Sequence, residues 1–154
     1  MNYQHKQPGF VTISVFVIAF LFLLDLLTLC IVFWYDRTPA FVIPLLVALA
    51  LLMIVLGVLF SSMSIKINNG QLTWHFALGF WKNSFDLSAI SSVLSVQNRW
   101  WHGWGIRRIP KGWLYNVSGM QAVEVILTDG RMVRLGTNEP EKLVMAIERA
   151  KTVL

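Results

Sequence analysis

Few side chains in this sequence could carry a reaction, and they do not converge. The histidines are His5, His75 and His102, one near the start, one in an alternating segment and one among tryptophans. Zinc ligands recur at short fixed spacings because one local turn delivers two of them to the same ion, and these three have no such spacing. The single cysteine, Cys30, excludes an internal disulfide and a cysteine cluster, and its apolar neighbours make it a small hydrophobe. "DLSAISSVLS" is rich in serine but lacks the G-x-S-x-G turn that exposes a nucleophile. "GWGIRR" has two glycines with a tryptophan between them, too few for a dinucleotide or phosphate loop. No catalytic, metal or cofactor residues follow, and the expectation is a non-enzymatic protein without a cofactor.

Two features remain. "NRWWHGWGIRRIPKGW", residues 98–113, holds four of the seven tryptophans and four basic residues, with no acid. Arg99, Arg107, Arg108 and Lys111 could meet an anion, and Trp100 and Trp101 could sit at a lipid interface. A nucleic-acid platform and a piece of sheet with structural tryptophans are the competing readings. The other feature is Asp25, the one ionisable side chain deep in a long apolar run. A carboxylate there costs about 2.5–3.5 kcal/mol on insertion scales, so it stays protonated, bonds a hydroxyl or backbone group, or meets another subunit.

The elements that hold these residues differ sharply along the chain. Hydrophobic residues make up 56% and charged residues 14% of the sequence, against about 25% charged in ordinary soluble domains. Residues 10–35, "FVTISVFVIAFLFLLDLLTLCIVFWY", and 40–60, "AFVIPLLVALALLMIVLGVLF", carry nearly all of the apolar excess. Each exceeds or matches the roughly 20 residues that cross a bilayer as a helix. The first is longer than a signal peptide's apolar core and lacks a small-residue cleavage site. The short link between them, with Asp36 and Arg37, implies an antiparallel transmembrane hairpin. His5 and Lys6 before it and Lys66 after it favour both termini in the cytoplasm.

After residue 61 the apolar period becomes two. Met63, Ile65 and Ile67, then Leu72, Trp74 and Phe76, alternate with polar residues around Asn69-Gly70, the signature of a tight hairpin. "QAVEVILTDGRMVRLG" repeats the device at Asp129-Gly130, and weaker strand signals lie in "FWKNSFDL" and "SSVLSV". "NEPEKLVMAIERAKTVL" reads as a closing helix, capped by Asn138 with Glu141 three residues on, its apolar stripe formed by Leu143, Ile147, Ala150 and Leu154. The net charge of +5 lies in this polar part and suits an anionic surface.

"GWGIR", "GWLYNVSG", "AVEVILTDGR" and "LGTNEPEKL", following a membrane hairpin, resemble the small bacterial membrane proteins with a pleckstrin-homology-like domain. The resemblance implies an α+β chain: a tail over 1–9, a hairpin over 10–60, and over 61–154 a bent antiparallel barrel closed by the C-terminal helix. It places "GWGIR", with Trp104, inside the domain. It further implies residence in the bacterial cytoplasmic (inner) membrane. The expected partners are anionic lipid headgroups, a second copy or another membrane protein. A domain tethered so close to a bilayer has little access to nucleic acid, which is not expected. A structural accessory subunit of a larger membrane complex is the alternative.

Overall fold

The structure is a computed structural model and describes residues 2–152. Its first strand, β1 (Tyr3–Pro8), runs into the long helix α1 (Phe10–Val32); α2 (Val42–Leu59) returns and runs into β2 (Ser62–Asn68). β3 (Gln71–Phe76) and β4 (Asn83–Asp86) complete an antiparallel sheet of order β1-β2-β3-β4. The remaining strands are β5 (Ile90–Gln97), β6 (Gly105–Ile109), β7 (Gly112–Asn116), β8 (Gln121–Leu127) and β9 (Met132–Gly136). They form a second sheet of order β5-β8-β9-β7-β6, in which β7 and β9 are parallel. α3 (Pro140–Thr152) closes the domain. The chain is thus α+β, with two sheets where a single closed, wholly antiparallel barrel was expected.

α1 and α2 are apolar on every face and long enough to cross a membrane. At 1.5 Å per residue they measure about 34 and 27 Å, bracketing the roughly 30 Å of a hydrocarbon core. They pack on each other, and almost none of either is buried within the chain, so their outer faces need a covering of lipid or protein. Both are shorter than the apolar runs 10–35 and 40–60. Beyond Val32 the chain turns tightly over Tyr35–Arg37, and the Thr38 amide and hydroxyl both donate to the Trp34 carbonyl. α2 begins late enough to put Pro44 in its first turn, where a missing N–H removes no helical bond.

The expected tail over 1–9 is largely strand β1, paired with β2 from Tyr3↔Ile67 to Pro8↔Ser62. Tyr3, His5 and Gln7 are its less exposed side chains, and all are polar, so the alternation is invisible to hydropathy. Main-chain pairing holds the strand, and His5 ties it to the segment leading into α3 through Asn138 Oδ1 at 2.7 Å and Glu139 Oε2 at 3.5 Å. Burial, with Glu139 nearby, pushes the Tyr3 phenol up to about 12.

The expected alternations are the core. Met63, Ile65, Ile67, Leu72, Trp74 and Phe76 are almost fully buried against Val123, Val125, Leu135, Leu143 and Ile147. Asn69 and Gly70 both take positive φ, 50° and 73°, as a two-residue hairpin turn requires. The start of α3 differs from expectation. The Asn138 side-chain oxygen accepts from His5 Nε2, while the Thr137 hydroxyl accepts the Glu139 N–H at 3.1 Å and Pro140 opens the helix. The stripe on α3 is Leu143, Ala146, Ile147 and Ala150; Leu154 lies outside the described residues.

Helices and sheets meet at one junction. The β1–β2 ladder continues through Gly9 N–H to Ser61 O, 2.8 Å, so both strands enter the helices without a linker. Beneath it the buried Thr12 hydroxyl lies 2.8 Å from Phe60 O, 2.9 Å from Gly9 O and 3.2 Å from Val117 O. A Cβ on Gly9 would fall 2.7 Å from Phe60 O, closer than packed carbon atoms tolerate. Gly9→Ala should therefore cost about 1–3 kcal/mol by overpacking. Thr12→Val, which leaves the Phe60 carbonyl without a donor while Ile13 N–H still serves Gly9 O and Thr12 N–H still serves Val117 O, should cost a similar amount, and Thr12→Ser much less. Thermal unfolding of the detergent-solubilised protein checks this; an unchanged midpoint in Gly9→Ala would show that the junction relaxes freely.

Candidate functional site

The junction gives the domain a near end and a far end. At the near end lie Pro8 and Ser62, the β3–β4 loop (77–82) and the β7–β8 turn (117–120), whose Val117 carbonyl meets Thr12 and whose Ser118 carbonyl accepts Gln7 Nε2. At the far end lie three turns: Asn69-Gly70, Pro110-Lys111, and 128–131 between β8 and β9.

The loop 98–104 is pinned to the near end at both its ends. Buried Asn98 donates its backbone N–H to Met120 O at 2.6 Å, and its side-chain oxygen lies 3.5 Å from Arg134 Nη1. Arg134 is itself fixed by the cross-strand Glu124 carboxylate at 2.7 Å. At the other end the Trp104 indole N–H donates to Gly119 O at 3.2 Å. Between these anchors, one helical turn over Trp100–His102 leaves Trp100 69% and Trp101 57% exposed, their rings edge to face at 5.8 Å. The Arg99 guanidinium stacks 5.0 Å over Trp101, and Arg107 donates from Nε to Trp104 O at 3.1 Å. Arg99, Trp100, Trp101 and Arg107 thus form one exposed group.

Lys111 does not join it, and Arg108 borders both a shallow cavity shared with Trp101 and Arg107 and the cleft between the sheets. Successive residues on a strand point to opposite faces, so Arg108 faces the gap between the sheets while Arg107 faces outward. Lys111 occupies the far turn, at φ 76°, after Pro110. From Gly112 back to Asn116 at the near end β7 climbs about 13 Å. The four tryptophans of the stretch lie outside the buried core, in which Trp74 is the indole; Trp104, expected within the domain, is half-buried.

A second exposed apolar group was missed in the sequence. In the β3–β4 loop, Leu78 is 84% exposed and takes φ 56°, a left-handed conformation that side chains other than glycine's rarely adopt. Trp81, also at positive φ, is half-exposed. The loop sits against the end of α2, where Phe80 packs edge-on against Phe60 at 5.6 Å. The signal was present in "FALGFW", where four large apolar residues surround a glycine without alternating, but only its last two residues enter a reading, as the start of the weak strand signal "FWKNSFDL". Burial pushes the nearby Tyr115 phenol up, and a hydrogen bond with Trp81 opposes that shift.

Among the described residues no three histidine, cysteine, aspartate or glutamate side chains gather as a metal site. His5 is engaged with Asn138 before α3, His75 lies 2.7 Å from Phe76 O, and His102 meets Trp101 edge-on. Comparison with family models, with curated proteins and with solved structures gives no match. The functional reading therefore rests on the geometry of this chain.

Asp25 belongs to the hairpin and lies apart from these groups. The less exposed side chains of α1 include Phe16, Leu23, Leu27 and Cys30, and Asp25 lies off that face, exposed and without a hydrogen-bond or ion-pair partner among the described residues. Ser14 and Thr28 share its side of the helix at helical spacing. If that side meets another membrane helix, Asp25→Asn should retain association and Asp25→Leu should weaken it. Crosslinking in native membranes checks this, and equal yields for the two variants would make Asp25 a passenger.

Proposed function

We propose that this chain is a non-enzymatic, membrane-anchored protein of the pleckstrin-homology-like kind, whose domain binds anionic lipid of the bilayer that its hairpin spans. The observation that carries the reading is the direction in which the exposed groups point. Leu78 with Trp81 lie on a loop at the end of the domain at which the helices leave, and Arg99, Trp100, Trp101 and Arg107 belong to an exposed group whose loop is anchored at that same end through Asn98 and Trp104 and reaches back over the sheet toward Pro110. Indole rings favour the headgroup zone, and each cation near an anionic leaflet contributes about 1 kcal/mol. Charge and aromatic anchors act together, since neither alone holds a domain firmly to lipid.

In this reading the protein resides in the bacterial cytoplasmic membrane with both termini in the cytoplasm. The pairing of β1 with β2 supports termini on one side, and the charge distribution favours the cytoplasmic one. A cysteine at Ser88 should be shielded from an impermeant thiol reagent added to intact cells, and one at Thr38 should be labelled. The reverse pattern would invert the assignment.

A second reading, an accessory subunit that joins a larger membrane complex through its hairpin, is favoured by the outward carboxyl of Asp25. Purification in mild detergent separates the two, because a subunit carries stoichiometric companions. The lipid reading is tested with the full chain, since cutting at Ser62 would remove β1 from its sheet. Arg99→Gln with Arg107→Gln should lower the preference of the reconstituted protein for anionic over zwitterionic lipid by up to about 30-fold, two cations at roughly 1 kcal/mol each. Shallow brominated lipids should quench wild-type tryptophan fluorescence more than that of a variant with Phe at 81, 100 and 101. Equal lipid preference and equal quenching would defeat the proposal.

A further inference from the structure

Arg108 and Lys111, left out of the membrane-facing group, line a different feature. Between the β4 edge of the first sheet and the β6–β7 edge of the second lies an open cleft of about 550 Å³, within the usual range of small-molecule sites. Trp74 forms part of its floor, with Phe85 and Trp113 also lining it. Arg108, Lys111 and Arg131 supply its charge, and no carboxylate is among the lining residues. Arg131 stacks 5.8 Å over Phe85 and gives its Nε to Asp129, while Arg108 and Lys111 form no ion pair among the described residues.

The floor is an aromatic pair. Trp74 is 1% exposed and lies edge-on to Phe85 at 5.1 Å, and its indole N–H has no acceptor in the protein. A buried donor without a partner costs about 1–3 kcal/mol.

We propose that this cleft binds a soluble organic phosphate with a flat ring, its ring against Phe85 and Trp113 and its phosphate among Arg108, Lys111 and Arg131. Two cations without an ion pair, beside an Arg131 held by Asp129, call for an anion, and guanidinium groups favour phosphate or carboxylate through paired N–H donors. Aromatic walls call for a planar body. The far-end position of Lys111 and Arg131 separates the cleft from the bilayer surface, which selects a soluble ligand over a lipid headgroup. This site is independent of the lipid contact proposed above and survives its failure.

The test uses the full chain in nanodiscs of zwitterionic lipid, with AMP, adenosine and inorganic phosphate as probes in equilibrium dialysis. AMP should bind at least tenfold more tightly than adenosine or phosphate alone, and added salt should weaken it by screening. Arg108→Gln with Lys111→Gln, both exposed positions, should lower AMP affinity at least tenfold without shifting the unfolding midpoint. Trp113→Ala should bring AMP affinity down toward that of phosphate. Nanodiscs containing phosphatidylglycerol should leave AMP binding unchanged. AMP that binds no better than phosphate, or that ignores the double substitution, overturns the proposal. Displacement of AMP by phosphatidylglycerol also overturns it, making the cleft a headgroup site.

Discussion

One hydroxyl, that of Thr12, sits where the two helices and both sheets meet, and the arrangement of the molecule depends on it. It lies within bonding distance of carbonyls from β1's exit, α2's exit and the β7–β8 turn. With a single proton it serves one of them at a time, yet all three are drawn to the same point. Gly9 permits this because any side chain there would collide with Phe60 O. The β1–β2 ladder runs through the junction without a break, so the domain is mounted on the hairpin as a continuation of its strands. A domain joined in this way keeps one end toward whatever covers the helices.

That mounting gives the exposed groups their meaning. A tryptophan loop on a freely swinging domain would have no preferred neighbour, whereas here the loop is anchored through Asn98 and Trp104 at the end where the helices leave, and Leu78 lies at that same end. The same geometry divides a stretch that looks uniform in sequence. Arg107 and Arg108 are adjacent, but β6 turns one outward beside Trp104 and the other into the cleft between the sheets. A single basic cluster becomes two surfaces of different chemistry, one bordered by exposed indoles and the other by a buried indole donor.

The legible parts of the fold were those with strong periodicity. The two apolar helices, the Asn69-Gly70 hairpin, the alternating core residues of β2 and β3, and the stripe of α3 all follow from hydropathy at period 3.6 or 2. β1 was illegible because Tyr3, His5 and Gln7 give no apolar alternation. The hairpin β6–β7 was hidden by its arginines and glycines. Asn138 looked like a helix cap because capping residues are recognised locally, and its true partner, His5, is at the other end of the sequence.

Composition and period alone determine that this chain has a hairpin fit for a bilayer and a small β-rich domain closed by a helix, because burial of apolar surface acts through near neighbours. Tertiary structure alone decides that the N-terminal residues belong to the domain, that Asp25 faces away from α2, and that six residues expected at one site divide between two. Those outcomes depend on which strands pair and which face each residue takes. A pairing partner can lie anywhere in the chain, and a shift of one residue reverses every face.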